Sequence, residues 1–149
     1  MFMNKDLTKV AKSVRKNVIL MSLRAKSAHM DGSLSCVEIL VALYFSAMHI
    51  APKEPNAPGR DRLIFSKAHD VKALYATLAE RGFFPKETLE NYEKDGAILP
   101  GHSVRHVVPG IEVSAGSLGH GLSVAAGIAY AGKIDGKKYR TFAILSDGE

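Results

Sequence analysis

Cys36 is the only cysteine in a chain of 149 residues, so no intramolecular disulfide can form and nothing calls for an oxidising compartment. Long apolar runs are missing too. The fullest, "CVEILVALYFSAMHI" from Cys36 to Ile50, is too short to span a bilayer and carries Glu38. The N-terminal "MFMNKDLTKV" has no apolar stretch of signal-peptide length. A soluble, cytoplasmic protein without membrane contact is expected, with Cys36 packed in a core. Nor is there a basic cluster fit for nucleic acid. The formal net charge of +5 is spread along the chain, and the densest basic stretch, Lys9 to Lys16, shares its helix with an apolar face and has no interleaved aromatic residues. That leaves a mild preference for small anions such as phosphates. No internal repeat, low-complexity tract or domain boundary is visible.

What is present is the pattern of one globular domain: 46% hydrophobic against 23% charged residues, enough to bury a core at this length. Leu7, Val10, Ala11, Val14, Val18 and Met21 recur at spacings of three and four, which predicts an amphipathic helix over roughly the first twenty-five residues, capped by Asn4 or Asp6. A loop holding His29, Asp31 and Gly32 should follow. "SCVE" has the form of a capping box, with Ser35 as N-cap and Glu38 three residues on; the helix it opens is apolar nearly all round and should be buried.

The prolines of "APKEPNAPGRDR" mark a loop. "LIFS" (Leu63–Ser66) reads as a parallel strand that delivers "KAHD" at its carboxyl end. Val71 to Arg81 reads as a helix, with Asp70 as cap and Gly82 as stop, and Pro85 opens a short helix ending near Gly96. From Ala97 to Gly121 the pattern is irregular, and so long a loop in a compact domain is usually functional. A helix of small residues runs from Leu122 to about Lys133, and Phe142–Leu145 is the closing strand. Ile111–Val113 is a candidate third strand. Two secure strands do not make the sheet of an independent doubly wound domain. The expected class is therefore α/β: a helix-rich, incomplete parallel-sheet fold.

Three features carry chemistry. "SAGSLGHG" (Ser114–Gly121) sets three glycines before a helix, where backbone N–H groups and the helix start favour an anion. Its spacing is neither the dinucleotide fingerprint nor a P-loop, and a tight structural loop would look the same. His29, His69, His102, His106 and His120 fall in or beside predicted loops. None has a helix-borne metal spacing, so a histidine zinc site is not expected. His69 and Asp147 both follow strands, at the edge where open α/β sheets bind ligands; Asp147 is a hard oxygen ligand of the kind Mg²⁺ takes with phosphate. A phosphate-bearing ligand with magnesium is the reading from residue chemistry.

In order along the chain, "DGSLSCVEILVALYF", "DRLIFSKAHDVKALYATLAERGFFPKETL", "LPGH", "PGIEVSAGSLGHGLSVAAGIA" and "SDGE" resemble transketolase from about Leu7 to Glu149, most of all the N-terminal subunit of split transketolases. The resemblance implies a thiamine-diphosphate-binding domain and a family reaction that moves a two-carbon ketol unit between sugar phosphates. It implies that Asp147 ligates Mg²⁺, Gly148 touches the diphosphate, and His69 hydrogen-bonds the diphosphate region. Gly116 and Leu118 would support the cofactor near its aminopyrimidine, and His29 and His102 would face substrate oxygens. The expected partners are a second copy or a complementary C-terminal subunit carrying the pyrimidine-binding domain. Deoxyxylulose-phosphate synthase shares the architecture but matches "SKAHDVKALYATLAERGFF" less well.

Departures from the family pattern are also visible. Ala28-His29-Met30-Asp31 stands where Gly-His-Pro-Gly is usual, and Ser66-Lys67-Ala68-His69-Asp70 where Ser-Lys-Gly-His-Ala is usual. Asp70 should repel a diphosphate at close range. Ser146 replaces the first glycine of Gly-Asp-Gly, and His120 stands where glutamine is common. The family's second magnesium side chain, an asparagine about thirty residues past the aspartate, lies beyond Glu149, as does the pyrimidine-activating glutamate of the other domain. Glu149 itself is not the functional glutamate of this motif. The chain alone is thus expected to hold an incomplete magnesium site and to be inactive. Either it is the front part of an enzyme, or it is a non-catalytic remnant that binds a phosphate ligand or a protein.

Overall fold

The computed structural model describes residues 6–149; of the two expected caps, Asn4 lies outside them. Asp6 caps helix α1 (Leu7–Ala25), its side chain accepting from the backbone N–H groups of Thr8 and Lys9. The periodic apolar residues Val10, Val14, Val18 and Met21 are all buried, which fixes the face that α1 turns inward. The α1 stripe packs on α4 (Val71–Arg81), whose residues from Val71 to Ala79 are buried without exception. Burying each Val, Leu or Tyr side chain there contributes roughly 1.5–3 kcal/mol, and α4 is the pillar of the domain. Gly82 stops it at φ 97°, a left-handed turn open to glycine.

Between α1 and the sheet, two departures from expectation appear. The segment around His29 is not a loop: Met30–Ser35 forms a short helix, α2, with His29 at its left-handed N-cap. "SCVE" is not a capping box. Ser35 is the last residue of α2 and its hydroxyl donates to the Gly32 carbonyl at 2.7 Å, while Glu38 turns outward to Arg15 of α1. Helix α3 (Val37–Ala42) follows and widens into a π turn over Leu43–Ala47. Cys36, between α2 and α3, is buried in the core as expected.

Strand β1 (Arg62–Phe65) pairs in parallel with β2 (Thr141–Ile144), Arg62 opposite Thr141 and Phe65 opposite Ile144. Asp61 sets that register. Its carboxylate accepts from the Arg140 backbone N–H at 2.8 Å, the Arg140 guanidinium at 2.6 Å and the His49 N–H at 2.8 Å. At the other end the Ser66 N–H donates to the Ile144 carbonyl, so both strands deliver their next residues side by side. Among the described residues the sheet has these two strands alone, and Ile111–Val113 is not a third. Glu112 pairs with Arg60 and Arg62 instead, so side chains rather than a ladder fasten that segment.

Past β1, Ala68–Asp70 makes a 3-10 turn into α4. Pro85 leads into a 3-10 segment, Lys86–Asn91, shorter than the helix expected to run near Gly96. Helix α5 begins at His120, two residues earlier than its apolar pattern suggests, and runs to Ile134. Gly121 lets it sit hard on β1: a Cβ there would lie 2.3 Å from that of Ser66. No described helix is long and apolar enough to cross a membrane.

Candidate functional site

The turn beyond β1, the N-cap of α2 and the segments around Glu93 and His102 meet at one end of the domain. A cleft of about 440 Å³ opens there, and His29, His69 and His102 all line it, with Lys72 and Glu93. Each histidine comes from a different segment. His69 rides the 3-10 turn beyond β1. His29 stands at the start of α2 with its ring edge-to-face on His69, centroids 5.0 Å apart. His102 is held from behind, its carbonyl accepting from the Tyr75 hydroxyl of α4 at 3.2 Å. Three non-glycine residues with positive φ line the same cleft: Lys26 at 51°, His29 at 61° and Glu93 at 56°. Such backbone is uphill and clusters at functional sites.

Two buried charges lie beneath the histidines. Asp70, only 1% exposed, does not cap α4 with its side chain. Its carboxylate meets Lys67 Nζ at 3.1 Å and His69 Nε2 at 3.3 Å. That corrects the expected repulsion: the charge is enclosed and paired with cationic or N–H-bearing neighbours, not turned on a diphosphate. Gly32 makes the enclosure possible, since a Cβ there would lie 2.5 Å from both Asp70 oxygens. Lys67 also donates to the Gly32 carbonyl and to the Ser35 hydroxyl, which ties α2 to the strand end. Lys72 donates to the Ala28 carbonyl and the Ser27 hydroxyl and so holds the turn before His29. Burial lowers its pKa, against the opposing pull of Glu93, Asp70 and Asp31. A lysine inside the apolar run "VKALYATLA" was the available signal for it.

A second group forms where α5 starts. The Glu149 carboxylate accepts from the Ser66 hydroxyl at 2.6 Å, the Gly119 N–H at 2.8 Å and the Ser146 N–H at 2.6 Å. Burial pushes its pKa up, yet these donors outweigh burial and hold the carboxyl below its usual range. Ser66 in turn accepts from the Gly121 N–H. Donors for an oxyanion are therefore assembled at this glycine-rich helix start, with a carboxylate already on them, which fits a phosphate group. Gly116 lies beside His102, 4.0 Å from a Cβ built on it to the imidazole, and Leu118 is exposed in the same loop. Asp147 and Gly148 are exposed in the turn after β2. Among the described residues Asp147 joins no group of three metal-ligating side chains.

A parallel α/β sheet with histidines and a hard carboxylate at its strand ends, beside a helix start built for an oxyanion, defines a domain for a phosphate-bearing cofactor. Residues 7–147 match the transketolase thiamine diphosphate binding domain, and the chain belongs to that family. It is 45% identical over 135 residues to one of the subunits of the apulose-4-phosphate transketolase from Phocaeicola vulgatus, covering 91% of this chain and 48% of the relative. A 6-deoxy-6-sulfo-D-fructose transketolase subunit from a Clostridium species is 42% identical over 97% of this chain and 52% of the relative. Among solved structures, transketolase from Campylobacter jejuni superposes with a TM-score of 0.88 at 29% identity, over 98% of this chain and 24% of that one. Transketolase from Leishmania mexicana gives 0.86 at 27% identity, over 96% and 23%. The chain spans about half the length of the subunit relatives it matches.

Proposed function

We propose that this chain supplies the diphosphate-binding face of a cytoplasmic, two-part transketolase acting on sugar phosphates, with a complementary pyrimidine-binding polypeptide completing the site. The observation that carries the reading is the convergence of His29, His69 and His102 on one cleft, with Ser66, three residues before His69, joined to the oxyanion donors at the start of α5. His69 and Gly148 would hold the diphosphate, Asp147 the Mg²⁺, and Gly116 and Leu118 the region of the aminopyrimidine. When bound, thiamine diphosphate supplies the electron sink that cleavage and transfer of a two-carbon ketol unit requires.

The chain's own part is binding and orientation. His29 and His102 present imidazoles to the cleft, where each can donate or accept a proton at a substrate hydroxyl or carbonyl oxygen. Asp70 and Lys72 hold the two segments that carry His69 and His29. Asp147 is the side chain this chain would contribute to Mg²⁺, and the proposed activity belongs to the assembled two-part enzyme. A second reading, a non-catalytic domain for a phosphate ligand or a protein, is favoured by one observation: Glu149 already sits on the oxyanion donors.

Calorimetry with thiamine diphosphate, then with inorganic diphosphate, in the presence of Mg²⁺ tests this. The chain should bind both. His69→Ala should weaken binding by roughly tenfold or more, the worth of a charge-assisted hydrogen bond. Binding of inorganic diphosphate alone, unchanged in His69→Ala and Asp147→Asn, would support the second reading. Binding of neither ligand would sink both.

A further inference from the structure

Spacing along the chain shows no histidine metal motif, but the fold gathers ligands from separate segments. His29 at the start of α2, His69 beyond β1 and Asp70 beside it place one ligand atom each within 4.8 Å of one another. We propose that these three residues bind a divalent transition ion of borderline-soft character, Zn²⁺ or its surrogate Co²⁺. The site is separate in chemistry from Asp147, whose hard oxygen suits Mg²⁺.

Half of the site is already at ligand spacing. Zinc bonds of about 2.0–2.1 Å in a tetrahedron put neighbouring ligand atoms about 3.3 Å apart. His69 Nε2 and Asp70 Oδ2 are 3.3 Å apart. His29 is the adjustable member. It is exposed and stands at a helix start, with its ring edge-to-face on His69, so it can turn toward the ion without disturbing the core.

Asp70 is the fixed member. Lys67 Nζ at 3.1 Å and the Ser33 hydroxyl at 3.5 Å hold its two oxygens, in the way outer partners orient a ligating carboxylate. The cleft supplies an entry path and room for water in the fourth position. Lys67 and Lys72 oppose a cation here, and Glu93 and Asp31 offset them in part. The site should therefore be one of moderate affinity that loads and empties, not a structural centre. An ion on His29 and His69 occupies the ring nitrogens with which those imidazoles would accept from a sugar hydroxyl or donate to an anion, so loading closes the cleft to such ligands.

Zn²⁺ titration by calorimetry and Co²⁺ titration by visible absorption need no thiamine diphosphate. Failure here and failure of the cofactor reading are therefore distinguishable. One ion per chain is expected, with tetrahedral Co²⁺ bands. His29→Ala replaces an exposed residue and leaves the core intact. It should weaken Zn²⁺ binding by more than the roughly ten- to hundredfold that removing an outer partner costs, and His69→Ala should do the same. Asp147→Asn should leave it unchanged. Absence of binding overturns the proposal. So does binding that survives His29→Ala, since the ion then sits on other histidines; if His69→Ala fails to fold, His29→Ala alone decides.

Discussion

At the scale of single residues, environment separates groups that look alike in a sequence. Cys36 is buried between α2 and α3, and burial pushes its thiol up to about 11, with Lys67 opposing and Asp70 reinforcing the shift. The thiolate is the reactive form. Native protein at pH 8 should therefore resist iodoacetamide, and the thiol should react at the rate of a free cysteine once denaturant is added. Rapid alkylation of folded protein would show that the α2–α3 junction opens readily. Asp70 and Asp147 form a similar contrast: the first is enclosed by Lys67 and His69, the second stands in solvent. Sequence could mark both as acidic residues near a strand end. It could not show that Gly32 leaves the hole into which Asp70 fits, because that fit joins residues far apart in the chain.

At the scale of elements, segments with a clear apolar pattern were legible and those without one were not. Helices α1 and α4 and both strands lie within a residue or two of where apolar pattern puts them. Helix α2 was hidden, because Gly32, Ser33 and Ser35 are poor helix formers and tertiary contacts impose it: Lys67 on the Gly32 carbonyl and on the Ser35 hydroxyl. The histidines could be named one by one, but their convergence depends on α2 having formed.

The sheet's register rests on Asp61 in the same non-local way. Burial raises the pKa of this carboxyl, but the guanidinium and N–H of Arg140 and the N–H of His49 outweigh burial and leave it below its ordinary value. A carboxyl lowered in the fold contributes stability above its unfolded pKa, and that stability is lost as pH falls through the folded value. Asp61→Asn should destabilise the domain by about 1–3 kcal/mol at neutral pH. The variant should also lose less stability than the parent between pH 5 and pH 3. Urea melts across that range check both; parallel curves for the two proteins would remove Asp61 from the acid response.

At the scale of the whole molecule, one side of the domain is unfinished. Helix α5 is apolar in composition, yet its buried residues are Gly121, Ala125 and Gly132. Leu122, Tyr130 and Ile134, spaced eight and four apart and so near one helix face, are 56%, 67% and 69% exposed. Scattered exposed apolar residues are ordinary, whereas a contiguous face marks an interaction surface. Beside it runs β2, whose far edge pairs with no strand among the described residues, leaving backbone donors and acceptors open. Apolar pattern alone would put the exposed edge on the side chains of Phe142–Leu145. Ile144 is instead buried and Phe142 is packed against the core, so the exposure lies on α5 and on the β2 backbone. The isolated 149-residue chain should therefore self-associate, with a mass in sedimentation equilibrium that rises with concentration. Replacing Leu122, Tyr130 and Ile134 together by Lys or Glu should move it toward the 16.1 kDa monomer without lowering its melting temperature, because none of the three is in the core. A parent chain that is monodisperse at 16.1 kDa at every concentration would mean that α5 and the open strand edge are compatible with water, and that no second surface is needed to cover them.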